Sequence, residues 1–193
     1  MKMVHDDRVT EIDKGFLALA ENESAAAILP AELPPNASRQ LLRMFRDPRV
    51  LDQHERCSLI AQLRAAVERA PHIAEVRVLL AMALSVDLQA QEALEQLRTA
   101  AQQAPGSFIV RLKFGELLMR LRVCQRAAEE THEAALLAAN AVQSDLARRQ
   151  AATIRTMLRE GIERGGYAGI LSRVFGRGGP KKQNSTPVLV GTE

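Results

Sequence analysis

The sequence predicts an all-α fold, and three observations carry that prediction. The residues that recur are Ala, Leu, Arg, Glu and Gln, which lose least on entering a helix, while aromatics make up 3% and Trp is absent. Apolar side chains return at helical spacing from about residue 54 to residue 164. The breaks between these runs are short, so neighbouring helices are expected to pack antiparallel. At 193 residues, 47% hydrophobic and 25% charged, the chain is long enough to bury one core.

Residues 8–20 place Val9, Ile12, Phe16 and Leu17 mostly on one side and predict a short N-terminal amphipathic helix within 1–23. Pro30, Pro34 and Pro35 then remove amide donors and bar helix from the residues before them, which predicts a linker over 24–37. Ser38 is read as the N-cap of a helix over 39–46, stopped at Asp47-Pro48. Further helices are expected at 54–69, 74–86, 89–103, 107–121, 124–139 and 144–164, the last ended by Gly165-Gly166.

Ala70-Pro71 and Ala104-Pro105 stand 34 residues apart, and a further 34 reaches Ala139. On that period and on the residues between, the chain resembles the tetratricopeptide (TPR) repeat family. In the unit 74–107, Leu80, Ala81 and Leu84 match the family's first-helix positions, and Ala93, Leu97, Ala100 and Pro105 match those of the second helix. In the unit 108–141, Phe114, Gly115, Leu118, Ala127, Thr131, Ala134 and Ala139 do the same, with Arg77 and Arg111 in place of the usual aromatic. Ala81/Gly115 and Ala93/Ala127 are small because the two helices of a hairpin cross closely there.

The resemblance implies antiparallel hairpins stacked as a short right-handed solenoid over 38–164. In the unit 40–73, Leu59, Leu63, Ala66 and Pro71 supply the second-helix half, but Pro48 is expected to break the first half, making that repeat degenerate. The helix 144–164, apolar on one side and carrying Arg148, Arg149, Arg155 and Arg159 largely off it, reads as a cap.

The resemblance also implies a function: holding a protein or peptide in a concave groove lined by first helices. The residues expected there are Glu75, Val78, Met82, Ser85 and Val86, then Ile109, Leu112, Glu116 and Met119. Relatives that clamp acidic chaperone tails use Lys and Asn at positions here occupied by Val78, Met82, Leu112 and Glu116, so that mode is not carried over. The largely apolar lining, with two methionines, suits an amphipathic helix or an apolar segment. Occupation by the protein's own residues 8–20 is an alternative, and a secretion-type chaperone is a narrower version of the same reading.

The remaining features are weighed against this scaffold. Residues 167–175 place Tyr167, Ile170, Leu171, Val174 and Phe175 at helical spacing ahead of Arg177, Lys181 and Lys182. Docking on the last repeat is the main expectation, a membrane-peripheral role the weaker one, and 183–193 reads as a loose tail. The net charge of +3 over 26 basic and 23 acidic residues gives no dense cationic surface, so no nucleic-acid partner is expected. A homodimer could form if helix 54–69 is left partly uncovered.

Cys57 and Cys124 form no paired motif, and with no secretory signal visible a cytoplasmic location is expected. His5, His54, His72 and His132 are scattered, and the pairs His54/Cys57 and Glu129/His132 supply two ligands each where metal sites need more. Gly176, Gly178 and Gly179 follow a helix where a phosphate loop precedes one. No catalytic residue, cofactor or metal is therefore expected.

Overall fold

The computed structural model describes residue 30 and residues 33–162, and among these every regular element is a helix. The expected helix at 8–20 and the segment 165–193 lie outside the described residues. Helix α1 spans Pro35–Arg46, α2 Gln53–Arg69, α3 Ala74–Val86, α4 Ala90–Gln103, α5 Phe108–Arg120, α6 Cys124–Leu136 and α7 Ala141–Arg159. Each helix packs on the next, and α3 also touches α5, as α5 touches α7.

Three expected boundaries are corrected. Helix α1 begins at Pro35, four residues into what was read as linker and helix start, because proline at the first helical position forfeits only an amide that has no partner there. Ser38 is therefore inside the helix, its hydroxyl directed back at the Pro34 carbonyl 3.4 Å away, and caps nothing. Helix α6 stops at Leu136 and α7 at Arg159, short of the expected 139 and 164. The stop of α7 is Gly161, at φ +66°, and not Gly165-Gly166.

The first-helix half that Pro48 was expected to break is present. Helix α1 ends before that proline, buries Ala37, Leu41, Met44 and Phe45, and packs on α2. Helix α2 starts with a complete capping box, Asp52 accepting from the Glu55 amide at 2.8 Å and Glu55 from the Asp52 amide at 3.1 Å. It buries Leu59, Ile60, Leu63, Ala66 and Val67, so the uncovered face that suggested a homodimer is covered.

The 34-residue period of the sequence returns in the hydrogen bonds. Leu88 and Arg122 both stand in the left-handed region, at φ 62° and 61°. After α3, the Gln89 amide donates to the Leu84 carbonyl and the Leu88 amide to that of Ser85; after α5, Val123 and Arg122 donate to Leu118 and Met119 in the same way. This is the paired bonding of a Schellman stop, built without glycine. Arg77 reaches the Pro71 carbonyl and Gln96; Arg111, 34 residues on, reaches the Pro105 carbonyl and Glu130.

The small and apolar repeat positions form the interior. Leu80, Ala81, Leu84, Ala93, Leu97, Ala100, Phe114, Leu118, Ala127 and Ala134 are buried, whereas Pro105 lies exposed in its turn. A Cβ on Gly115 would come within 2.7 Å of Thr131 Oγ1 and Gln150 Nε2. That glycine lets Gln150 of α7 sit against α5 and donate to the Leu112 carbonyl and to Thr131, which fixes α7 on the hairpin before it.

Candidate functional site

A cleft opens where the C-terminal halves of α1, α3 and α5 meet. Met44, Phe45 and Pro48 form one wall, Met82, Ser85 and Val86 the second, Lys113, Glu116, Leu117 and Arg120 the third, and Ala81 and Leu97 contribute to the floor. The enclosed part is small, about 50 Å³. It leaves no room for a cofactor, since sites for small molecules run to several hundred Å³.

Each wall follows from its helix. On α3 the residues Met82, Ser85 and Val86 lie three and four apart, on one face, while the rest of the helix is buried against its neighbours. The Ser85 hydroxyl is occupied by the Ala81 carbonyl at 2.7 Å, so this wall offers a partner little besides carbon and sulfur. On α5 the same spacing carries Lys113, Glu116 and Arg120. Glu116 accepts from Lys113 Nζ at 2.8 Å and from Arg120 at 2.7 Å.

Glu116 and Lys113 are 5% and 4% exposed, so this cluster lies in a medium of low polarity. Burial pushes the Glu116 carboxyl up, but the charges and hydrogen bonds of Lys113 and Arg120 outweigh it, and the group titrates below the ordinary glutamate value. It is an anion held by two cations. A carboxylate in that state is a poor general base, because its conjugate acid is too strong to take a proton near neutral pH.

The groove residues expected from the sequence do not all meet here. Met82, Ser85, Val86 and Glu116 line the cleft. Val78, Leu112 and Met119 are buried in the interior, Leu112 in a cluster with Phe108, Ala134, Leu146 and Ala147. Ile109 is half-buried against the core, and Glu75 is exposed. The lining is also less apolar than expected, because the α5 wall carries three charged side chains.

Sequence reasoning missed Met44, Phe45, Pro48, Lys113, Leu117 and Arg120. The signal for the α1 wall was available: Arg43, Arg77 and Arg111 stand at successive intervals of 34, which extends the period back through α1. For Lys113 there was none, since a lysine on a helix is normally read as solvated.

Elsewhere, the two thiols differ from the half-buried pair expected. Cys57 is exposed, and Cys124 is buried, with Sγ 3.1 Å from the Ile162 carbonyl. Among the described residues no three His, Cys, Asp or Glu side chains gather as a metal site would require, and no helix is long and apolar enough to cross a membrane. No protein-family model matches the chain, and a search of curated proteins finds no significant relative.

Proposed function

We propose that this protein is a non-enzymatic interaction scaffold of TPR-like stacked hairpins, which holds a helix or peptide of a partner protein in the cleft between α1, α3 and α5. The observation that carries the reading is the recurrence at 34 residues of the same turns and the same arginine contacts, with the first helices of successive hairpins touching one another. Such an arrangement places first helices side by side and leaves a shared concave face. In this reading α1–α2, α3–α4 and α5–α6 are three hairpins and not two and a half.

The cleft also specifies the partner's chemistry. Met82, Val86, Met44 and Phe45 offer adaptable apolar surface for one or two large side chains. Arg120, whose side chain is 30% exposed at the rim, favours an acidic residue beside that apolar anchor. An amphipathic helix with an acid flanking its apolar stripe meets both demands.

The test is a double substitution, Met82→Glu with Val86→Glu, at half-buried positions of the apolar wall. Affinity capture from the source cells followed by mass spectrometry should lose the partner, while far-ultraviolet circular dichroism stays that of the wild type. A partner retained at wild-type yield by a folded variant would place binding elsewhere. Leu112 is unsuited to this test, because a charge there would enter the core.

A further inference from the structure

The end of α7 repeats the turn that starts each second helix. Gly161 stands at φ +66°, the Ile162 amide donates to the Met157 carbonyl and the Gly161 amide to that of Leu158. This is the bonding found at Leu88 and Arg122, and in both of those places a helix running back along its predecessor begins two residues later, at Ala90 and at Cys124. A cap has no need of it.

The chain beyond Ile162 carries the matching register. Five residues after the left-handed position, where the hairpins have Ala93 and Ala127, stands Gly166; nine after it, where they have Leu97 and Thr131, stands Ile170. Fifteen after it, where α4 ends at Gln103 and α6 is capped at Leu137, stands Gly176. Arg173 departs from the pattern, falling where Ala100 and Ala134 stand.

The described surface has a matching vacancy. A groove of about 290 Å³ runs between α6 and α7, lined mainly by Ala128, Thr131, Ala135, Ala147 and Ala151. Leu94 and Ala101, the counterparts of Ala128 and Ala135 one repeat earlier, are 2% and 8% exposed, covered where another hairpin follows. Ala128 is only half-buried and Ala135 exposed. The stack is incomplete at this end.

We propose that residues 163–175 of this chain form the second helix of a fourth hairpin and seat Tyr167, Ile170 and Val174 in the α6–α7 groove, making α7 a first helix and not a cap. The inference uses the hairpin reading given above but not its ligand, so loss of cleft binding leaves it intact. Gly165, Gly166 and Gly169 make the segment a poor helix by itself, each costing about 1 kcal/mol relative to alanine. Docking and helix formation are accordingly a single event.

Tyr167 is the chain's only tyrosine and there is no tryptophan, so its fluorescence reports this contact alone. In the full-length protein, iodide should quench Tyr167 at least threefold less than it quenches the same protein in denaturant, at every protein concentration. Ala135→Arg with Ala151→Arg, which fills the groove from its open side, should restore full quenching while the helical signal of α1–α7 persists. Three results would overturn the proposal: full quenching of the native wild type, shielding that disappears on dilution and so comes from a second copy, or shielding unchanged in the groove variant. Because the wild-type measurement stands without the variant, a variant that failed to fold would leave the proposal open to refutation.

Discussion

Helices α3 and α5 occupy equivalent places one repeat apart, yet they present different chemistry to the same cleft. Leu79, Met82 and Val86 of α3 correspond to Lys113, Glu116 and Arg120 of α5. The backbone frame is nevertheless common, with the same stop at Leu88 and Arg122 and the same arginine bridge at Arg77 and Arg111. Small and apolar positions therefore hold the hairpins, while cleft-facing positions are free to differ. One wall supplies adaptable apolar surface and the facing wall supplies fixed charge, and that asymmetry orients whatever binds.

The comparison can be broken most severely at Glu116. Replacing it with Ala leaves Lys113 buried without its closest counter-charge, which should cost about 3–5 kcal/mol in denaturant unfolding. Met82→Leu at the corresponding position of α3 should cost under about 1.5 kcal/mol, because volume and polarity are nearly kept. Equal losses at the two sites would mean that the charged cluster is not the buried group its geometry indicates.

Next in size is the packing beneath the two helices. Gly115→Ala gains helix propensity but drives a Cβ into Thr131 and Gln150, and should lose about 1–3 kcal/mol by displacing the contact that holds α7. The reverse change at the equivalent residue, Ala81→Gly, should lose about 1 kcal/mol through propensity alone. A stabilising Gly115→Ala would show that α7 does not close on α5 as described.

Smaller again is the effect of pH. Because Glu116 titrates lower in the folded protein than its value of 4.5 in a free chain, the unfolded state takes up the proton first. The stability that this group contributes is complete above about pH 4.5 and is lost as pH falls through the folded value. Wild-type stability should thus drop more steeply with acid than that of Glu116→Gln, whose slope lacks this group. Parallel slopes would contradict the direction assigned to Glu116.

The smallest effects concern the two stops. Leu88→Gly and Arg122→Gly relieve a left-handed conformation that a side chain strains, and each should raise stability by up to about 1 kcal/mol. Leu88 is 88% exposed, so little packing is lost in exchange.

Much of this architecture was legible in the sequence. Helices α3 to α5 were placed to within one residue, because Ala-Pro pairs and small residues at fixed intervals mark where helices stop and where they cross. The stops at Leu88 and Arg122 were not legible, since the usual marker of a left-handed stop is glycine and neither position has one. Helix α1 was shortened by treating Pro35 as a breaker when proline can equally begin a helix. The cleft was half legible: periodicity put Met82, Ser85, Val86 and Glu116 on one face. It misplaced Val78, Leu112 and Met119, because a first helix enclosed on nearly all sides has no polar face to reveal its direction. Lys113 was invisible, since only a structure shows a lysine paired in the interior.

The central claim is that the α1–α3–α5 cleft is where a partner binds. Once a partner has been captured and purified, hydrogen–deuterium exchange of the complex against the protein alone tests that claim directly. Slower exchange confined to peptides covering residues 44–48, 82–86 and 113–120 is the predicted result. Unchanged exchange there, with protection appearing instead on α2, α4 or α6, would contradict it.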